Sequence, residues 1–475
     1  MHLKPFVWPS LAIILLAVTT GQAADQPQWG QYHSRNMVSE ETGLPESCDP
    51  ATGKNIRWSV AIGTQSYATP VVSQGRVIIG TNNDEPRDPR HGEDGGVVLC
   101  LDEKDGHLCW QFVAPKLEND PYLDWPHIGL CSPATVENGR VYIVSNRAEV
   151  LCMSLLGQGK ILWRFDMPSG VGIHPHDSAH SSILIDGEYL YLNTGNGVDN
   201  THRKIRSPEA PSLIVLDKAS GRLVAKDDER IGPNIFHASW SAPSEGVVNG
   251  RSLVFFGGGD GVCYALEALR PSETGDQVVK LKQAWRFDGD PTAPKKDIHS
   301  YLTNRTESPS FISGMPVFYK SRIYLTLGGD IWWGKHKAWL QCIDATGTGD
   351  ISAKNLVWSY AVNRHCCATP AIYAGMVFVG DCGHQFHCID AKTGKPYWTE
   401  DVKGDVWGSA LVADGRVYLG TRRGDLWTFA ASKDKKVLAT AHLGDPISGT
   451  PVAANGTLYV ATLSRLYALR ADKQK

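Results

Sequence analysis

A repeating unit with the marks of a small β-sheet dominates this sequence. Each unit opens with a proline, runs through three apolar segments separated by turn signals, and ends in a segment that carries a tryptophan. Residues 70–110 and 370–398 show the unit in full. The turn between the first two segments recurs eight times, at Gly75, Gly139, Gly187, Gly250, Ser321, Gly375, Gly415 and Gly456. No stretch keeps a helical period, so the repeat predicts a β-solenoid or a propeller.

The two ends of the chain favour the propeller. The last unit has three strand-like segments and no tryptophan segment, and the missing one stands near the other end, around Trp58. A strand that completes the last blade closes a ring and removes exposed sheet edges. We therefore predict an all-β, eight-bladed β-propeller of four-stranded blades over residues 51–470, closed by an N-terminal strand. Residues 24–50 are expected to form an arm packed outside the ring.

The N-terminus resembles an export signal. Residues 1–23 contain Lys4, an apolar run over residues 11–18, and small residues up to Ala23. This order is typical of a Sec signal peptide, with cleavage expected near Ala23, and the run is short for a transmembrane helix. A retained membrane anchor is the alternative. We expect a periplasmic or secreted protein without an integral membrane span.

Composition narrows the classes of partner. Hydrophobic residues make up 42% of the 475 residues, charged residues make up 20%, and the net charge is −3. The chain is therefore globular, and it lacks the basic excess expected of a nucleic-acid or anionic-membrane binder. The remaining partners are a protein, a carbohydrate or another polar small molecule.

The repeat resembles that of pyrroloquinoline-quinone (PQQ) propellers, whose docking motif is Asp-x-x-Thr-Gly-x-x-x-Trp. Residues 390–398 match this motif fully, and residues 102–110 match it with Asp for Thr. Residues 217–221 keep the turn, but Ala225 stands at the tryptophan position. The resemblance implies the eight-bladed fold. It does not fix a function, because the family holds both quinoprotein dehydrogenases and a non-catalytic outer-membrane assembly propeller.

Long loops and histidines share one face of the predicted ring. In this strand order, the loops between second and third strands and between blades lie together. Eleven of the 16 histidines fall there: His91, His127, His174, His176, His180, His202, His237, His299, His336, His365 and His384. One interpretation is that polar loops simply tolerate histidine. The alternative is a polar, metal- or anion-binding funnel at the ring's centre.

The densest histidine group is also the candidate metal site. His174, His176 and His180 lie within seven residues, beside Asp177. Imidazole and carboxylate together suit Zn, Cu or Ni, although the spacing matches no strong zinc signature.

Cysteines fall into two groups. Cys100, Cys152, Cys342 and Cys388 occupy one repeat position, in different blades, where a small buried residue is expected. The adjacent pair Cys366–Cys367 could form a vicinal disulfide, like the one that covers PQQ in the dehydrogenases. The alternative is two thiols that are free or separately paired, with Cys131 as one partner. The total of 11 is odd, so at least one thiol stays free or pairs between chains.

The resemblance also implies a set of cofactor residues. Asn196 matches the asparagine that ligates Ca²⁺ in the dehydrogenases, and Asp199 is a nearby oxygen donor. Cofactor-binding candidates are Cys366, Cys367, Trp240, Asn196 and Arg364. The family segment His-Asp-x-Trp-Asp carries the catalytic base, but here Ala238 and Ser241 replace both acids. A base would have to come from another loop, such as Asp177, Asp260 or Asp330.

Two principal functions follow. The favoured one is a binding or scaffold module that acts through its long-loop face, where several aromatic and arginine residues lie: Tyr67, Trp125, Trp240, Trp332, Trp333, Arg364, Trp407, Arg422 and Arg423. The alternative is a PQQ- and Ca-dependent dehydrogenase of alcohols or sugars. A metal-dependent secreted hydrolase is a third class, which no catalytic motif supports.

Overall fold

The computed structural model describes residues 24–117, 125–177, 182–273 and 275–472. The predicted signal peptide lies outside these residues. Within them the chain forms eight sheets of antiparallel strands arranged as successive blades, which confirms the predicted all-β, eight-bladed propeller. In the described part of the chain, no helix has the length and apolar character needed to cross a bilayer.

The strands are numbered in chain order. Those of the first half are β1 (Ile56–Ala61), β2 (Val71–Ser73), β3 (Arg76–Asn82), β4 (Gly95–Asp102), β5 (Leu108–Pro115), β6 (Thr135–Glu137), β7 (Arg140–Val144), β8 (Glu149–Ser154), β9 (Ile161–Asp166), β10 (Leu184–Asp186), β11 (Tyr189–Asn193), β12 (Leu213–Asp217), β13 (Leu223–Lys226), β14 (Ser244–Val248), β15 (Arg251–Gly257), β16 (Val262–Glu267), β17 (Val279–Lys280) and β18 (Gln283–Asp288).

Those of the second half are β19 (Val317–Tyr319), β20 (Arg322–Gly328), β21 (Ala338–Asp344), β22 (Gly349–Asp350), β23 (Leu356–Val362), β24 (Ala371–Tyr373), β25 (Met376–Gly380), β26 (Gln385–Asp390), β27 (Pro396–Asp401), β28 (Leu411–Ala413), β29 (Arg416–Gly420), β30 (Asp425–Ala430), β31 (Val437–His442), β32 (Val452–Ala454), β33 (Thr457–Ala461) and β34 (Arg465–Leu469). The helical pieces are α1 (Met167–Val171) and 3₁₀ turns at Gly232–Asn234, Pro271–Glu273 and Ile298–Tyr301.

Blades 1 to 8 consist of β2–β5, β6–β9, β10–β13, β14–β16 with β18, β19–β21 with β23, β24–β27, β28–β31, and β32–β34 with β1. Two short strands add parallel edges that the repeat does not predict: β17 pairs with β13, and β22 pairs with β18. Each comes from a neighbouring blade and covers the outer edge of the preceding one, which protects that edge from further pairing.

The ring closes as the sequence predicts. Strand β1 pairs antiparallel with β34, with Trp58 opposite Ala468 and Val60 opposite Leu466. Blade 8 is thus built from both ends of the chain.

Repeat tryptophans join six of the eight blades to the next one, whereas the last strands of blades 3 and 7 carry no tryptophan. The indole N–H of Trp110 in blade 1 donates to the Leu155 carbonyl of blade 2 at 2.7 Å, and Trp358 in blade 5 donates to Ala391 of blade 6 at 3.1 Å. Trp58 donates to Glu103 in the same way, across the closure. Each indole ring hydrogen-bonds its N–H and buries its apolar surface. The tryptophan therefore contributes both a hydrogen bond and apolar packing at the blade boundary.

The first part of the N-terminal arm lies on the axis of the ring, which corrects the expectation that the whole arm packs outside, while Leu44 and Cys48 pack against blades 7 and 8. First strands of neighbouring blades contact one another, so these strands line the centre. The arm hydrogen-bonds to six of them, through the backbone groups of Val72, Val136, Glu245, Phe318, Ile372 and Val412. A repeat pattern could not show this, because the arm is not part of the repeat.

Candidate functional site

A cavity of about 760 Å³ opens at the centre of the long-loop face. Every blade contributes to its lining through the segment that precedes its first strand, from Tyr67 in blade 1 to Ser448 in blade 8. The arm adds Trp29, whose indole N–H donates to Thr450 Oγ1 at 3.0 Å. The axial arm therefore supplies part of the cavity wall, and the pocket exists only in the closed ring.

Aromatic side chains make up much of this wall: Tyr67, Trp125, Trp240, Trp332, Trp333 and Trp407. Trp332 meets Trp240 and Trp407 edge to face, at centroid distances of 5.5 and 6.0 Å. The ring of Tyr67 is stacked on Trp407 at 6.3 Å, and the Arg422 guanidinium lies 4.4 Å from the Trp407 centroid. These contacts hold the rings in fixed orientations, and Trp125 and Trp332 remain well exposed.

Three histidines converge at one side of the cavity. His176 Nε2 lies 3.1 Å from His202 Nε2, and one nitrogen from each of His176, His202 and His237 falls within 4.8 Å of the other two. A carboxylate accompanies them: Asp177 lies 3.6 Å from both His176 Nε2 and His237 Nε2. His202, His237 and Asp177 all line the cavity.

Backbone pairing holds the three histidine segments together. Gly197 N–H donates to the His174 carbonyl at 3.0 Å, and Val198 N–H donates to the His237 carbonyl at 2.9 Å. His202 follows in a turn closed by its own N–H to the Asp199 carbonyl. The cluster therefore rests on fixed main chain.

The buried Asp330 orients His237. Its Oδ2 lies 2.9 Å from His237 Nδ1, while its Oδ1 accepts the backbone N–H groups of Trp332 and Trp333. Burial would raise the pKa of Asp330, but His237 and these N–H donors hold it below its usual range. Burial alone would lower the pKa of His237, and the Asp330 and Asp177 carboxylates reverse this and raise it.

Burial also shifts the pKa values of His176, His202 and Asp177. Burial, with the neighbouring His237 and His202, lowers the pKa of His176 to about 2, so this imidazole is neutral at pH 7. Burial also lowers the pKa of His202 and raises the pKa of Asp177 to about 6.

The structure separates the predicted metal candidates. It brings His176 together with His202 and His237. The His174 backbone N–H donates to Asn196 Oδ1 at 3.0 Å, and Asn196 Nδ2 donates to the Ser207 carbonyl. The Asp199 carboxylate accepts from the Thr201 N–H and hydroxyl in a local turn. His180 lies outside the described residues.

The predicted cofactor residues are also dispersed. Trp240 and Cys367 line the cavity, and so does Cys131. Cys366 is buried, with its thiol 3.2 Å from the Gly380 carbonyl, and it is not bonded to Cys367. The pKa of the Cys367 thiol is lowered, chiefly by the neighbouring Cys382 thiol. Arg364 is exposed, with Nη2 3.5 Å from His336 Nε2.

His202 and His237 were not assigned to a metal site from the sequence, and Asp330 was named there only as one of several alternative bases. The available signal was weak: His237 keeps the histidine of the dehydrogenase segment that has lost both acids. Their convergence depends on long-range backbone pairing between loops, which no local spacing encodes.

Fold and site together define an eight-bladed propeller of PQQ-like repeats with an axial pocket on its loop face. The family model described as "Outer membrane protein assembly factor BamB" matches residues 94–270 and 337–472. The chain therefore belongs to this family. No curated protein matches it.

Solved structures show the same fold at low identity. BamB from Moraxella catarrhalis is 12% identical, with a TM-score of 0.55 over 88% of this chain and 97% of that one. Quinohemoprotein alcohol dehydrogenase from Comamonas testosteroni is 14% identical, with a TM-score of 0.62 over 95% and 81%. A europium-containing methanol dehydrogenase is 14% identical, with a TM-score of 0.59 over 93% and 90%.

Proposed function

We propose that this protein is a binding propeller whose axial pocket holds a carbohydrate or a similar neutral, ring-shaped polyol. The observation that carries the proposal is the lining: seven tryptophan and tyrosine side chains, Trp29 among them, surround a cavity of about 760 Å³. Flat apolar faces of sugar rings pack on aromatic rings, while a few fixed polar groups orient hydroxyls.

The polar groups of the pocket suit hydroxyls better than anions. Gln65, Asn200 and Asp177 supply amide and carboxylate groups among the aromatic residues. No lysine or arginine occurs among the lining residues that the structure describes. An anionic ligand would meet the Asp177 carboxylate without a lysine or arginine in the described lining to balance it.

The shape supports a small ligand over a protein partner. A concave pocket of several hundred Å³ encloses a molecule of drug or oligosaccharide size, whereas a standard protein interface buries roughly 800 Å² on each side. A protein partner, by analogy with BamB, stays the outcome to consider if no small molecule binds.

Export to the periplasm or the cell exterior is part of the same proposal. It is supported by the sequence of residues 1–23 and by the family description, which names an outer-membrane assembly factor. Mass spectrometry of the mature N-terminus tests the expected cleavage near Ala23.

The alternative, a PQQ- and Ca-dependent dehydrogenase, has less support. Both ends of the Asn196 amide already hold loop backbone, at the position where the dehydrogenase resemblance expects a Ca²⁺ ligand. PQQ carries three carboxylates, and the described lining offers them no lysine or arginine. These contacts argue against that cofactor. Added PQQ and Ca²⁺ are expected to give no shift in quinone absorbance.

Calorimetric titration with a panel of neutral oligosaccharides tests the proposed binding. Trp240→Ala and Trp407→Ala should each weaken binding at least tenfold, because each removes a packing face from the pocket. Tyr373→Ala is the matched control: Tyr373 is partly exposed at the end of β24, outside the described lining, and its loss should leave binding unchanged. Binding that survives both tryptophan substitutions would exclude the pocket.

A further inference from the structure

We propose that His176, His202 and His237 form a three-histidine site for one divalent transition-metal ion, with Asp177 beside it. The site is distinct from the Asn196 set that the dehydrogenase resemblance implies. It also stands independently of the proposed carbohydrate ligand.

The spacing of the nitrogens fits a metal ion. Zn–N bonds are about 2.0–2.1 Å, so two nitrogens on one tetrahedral ion lie about 3.3 Å apart. His176 Nε2 and His202 Nε2 are 3.1 Å apart, and His237 completes a group with all nitrogens within 4.8 Å. Small rotations of the imidazoles bring the third nitrogen to bonding distance.

His237 points a nitrogen lone pair into this group. Its Nδ1 faces Asp330 Oδ2 at 2.9 Å, and since this carboxylate can only accept, Nδ1 carries the proton. In the neutral imidazole, Nε2 then carries no proton, and its lone pair can accept a hydrogen bond or bind a metal ion. Within the described residues this buried atom has no hydrogen-bond partner, and His237 is only 2% exposed. A buried nitrogen of this kind costs stability unless something binds it.

Metal-binding histidines usually have a hydrogen-bond partner on the ring nitrogen that does not bind the metal, and Asp330 is that partner for His237. A carboxylate on the far ring nitrogen fixes the tautomer and makes the ligand more basic. Asp330 is itself held by the backbone N–H groups of Trp332 and Trp333 at 2.9 and 2.7 Å. A chance contact between histidines would have no such carboxylate holding one of the rings in place.

The donor set indicates the class of metal. Three imidazoles suit Zn²⁺, Cu²⁺, Ni²⁺ or Co²⁺ and are a poor match for Ca²⁺, which prefers oxygen ligands. Three protein ligands leave one position for water or a ligand oxygen. Because His202, His237 and Asp177 line the cavity, that position faces the pocket.

The test uses the whole chain without a histidine tag. After chelation, the protein is dialysed against Zn²⁺ and its metal content is measured; one tightly held Zn²⁺ per chain is expected. His202→Ala should weaken binding at least 100-fold, and Asp330→Asn should weaken it about 10- to 100-fold. His202 is partly exposed in a loop, and circular dichroism checks that this variant is folded.

His127→Ala is the matched control. His127 belongs to an exposed group with Asp84 and Asp94, and its loss should leave the tight site intact. Co²⁺ provides a second readout: its visible spectrum should show nitrogen and oxygen ligation without sulfur charge-transfer bands, which excludes the group containing Cys109. No stoichiometric metal in the wild type, or equal affinity in His202→Ala, would overturn the proposal.

Discussion

Asp330 and Asp260 are both buried aspartates on the loop face, and their pKa values move in opposite directions. At Asp330 the contacts with His237 and two backbone N–H groups outweigh burial. At Asp260 burial outweighs the Tyr264 hydroxyl and the Val262 N–H, and it raises the pKa to about 6. The contact with His237 distinguishes Asp330, because at Asp260 the Tyr264 hydroxyl, the Val262 N–H and the charge of Lys295 do not compensate for the desolvation of the carboxylate.

Asp260 should therefore make stability depend on pH. Its pKa is raised in the folded state, so the free energy of unfolding falls as pH rises from about 4 through about 6, and it levels off above. The full effect of a two-unit shift is up to about 3 kcal/mol. Asp260→Asn cannot ionise, and urea denaturation between pH 4 and 8 should show a flatter profile for it. Asp276→Asn, at an exposed position, should keep the wild-type profile. Identical slopes for Asp260→Asn and wild type would contradict this reasoning.

At the scale of the element, the strand-and-turn repeat both builds a blade and attaches it to its neighbour. Gly394, in the turn between β26 and β27, has φ +72°, and a Cβ there would lie 2.7 Å from the Trp358 ring of blade 5. Gly375, in the turn between β24 and β25, has φ +79° and open space around it. Both glycines adopt the positive φ that their turns require. Only Gly394 also leaves room for a side chain of the neighbouring blade, the Trp358 ring.

This pair separates backbone strain from blade contact. Gly375→Ala should cost about 1–2 kcal/mol, the usual penalty for a left-handed alanine. Gly394→Ala should cost about 1–3 kcal/mol more, because the methyl group also displaces the tryptophan. Chemical denaturation of the two variants measures the difference. Equal losses would mean that the Trp358 contact contributes nothing to stability.

The elements also show why the fold was predictable and the site was not. Trp110 and Trp398 each stand in a local motif that repeats, so strand order, blade number and closure follow from the sequence alone. His176, His202 and His237 stand in three unlike loops, and their meeting depends on backbone pairing at Gly197 and Val198. Asn196 keeps the family motif, and the structure adds what the motif does not encode: its amide holds the neighbouring loops together.

For the whole molecule, the arm ties the blades together at the axis. Arg35 is fully buried and donates to the carbonyl groups of Trp29, Pro243 and Ser182, at 3.1, 3.1 and 3.3 Å. Burial lowers the pKa of this guanidinium to about 9, which still leaves it charged at neutral pH. One side chain thus connects the arm to the entries of blades 3 and 4.

Replacing this side chain should destabilise the ring. Arg35→Met keeps the apolar stem but leaves three buried carbonyls without their donor, and we expect a loss of at least about 3 kcal/mol in the free energy of unfolding. Arg90→Met is the control, because the Arg90 side chain is 81% exposed, and it should leave the free energy of unfolding unchanged. Urea denaturation followed by tryptophan fluorescence measures both. A loss below 1 kcal/mol for Arg35→Met would mean that the arm is dispensable.

The pairing of β1 with β34 also constrains the order in which the blades can be completed. A ribosome releases Ile56 some 400 residues before its partner Leu469. The blades between them do not need β34, whereas blade 8 stays incomplete until β32–β34 are available to pair with β1. Contacts between residues far apart in sequence slow folding more than they reduce stability. Until β1 pairs with β34, the free edge of β34 is open to pairing with other chains. The ring therefore closes only when β34 is available, and closure joins the first strand of the propeller to the last.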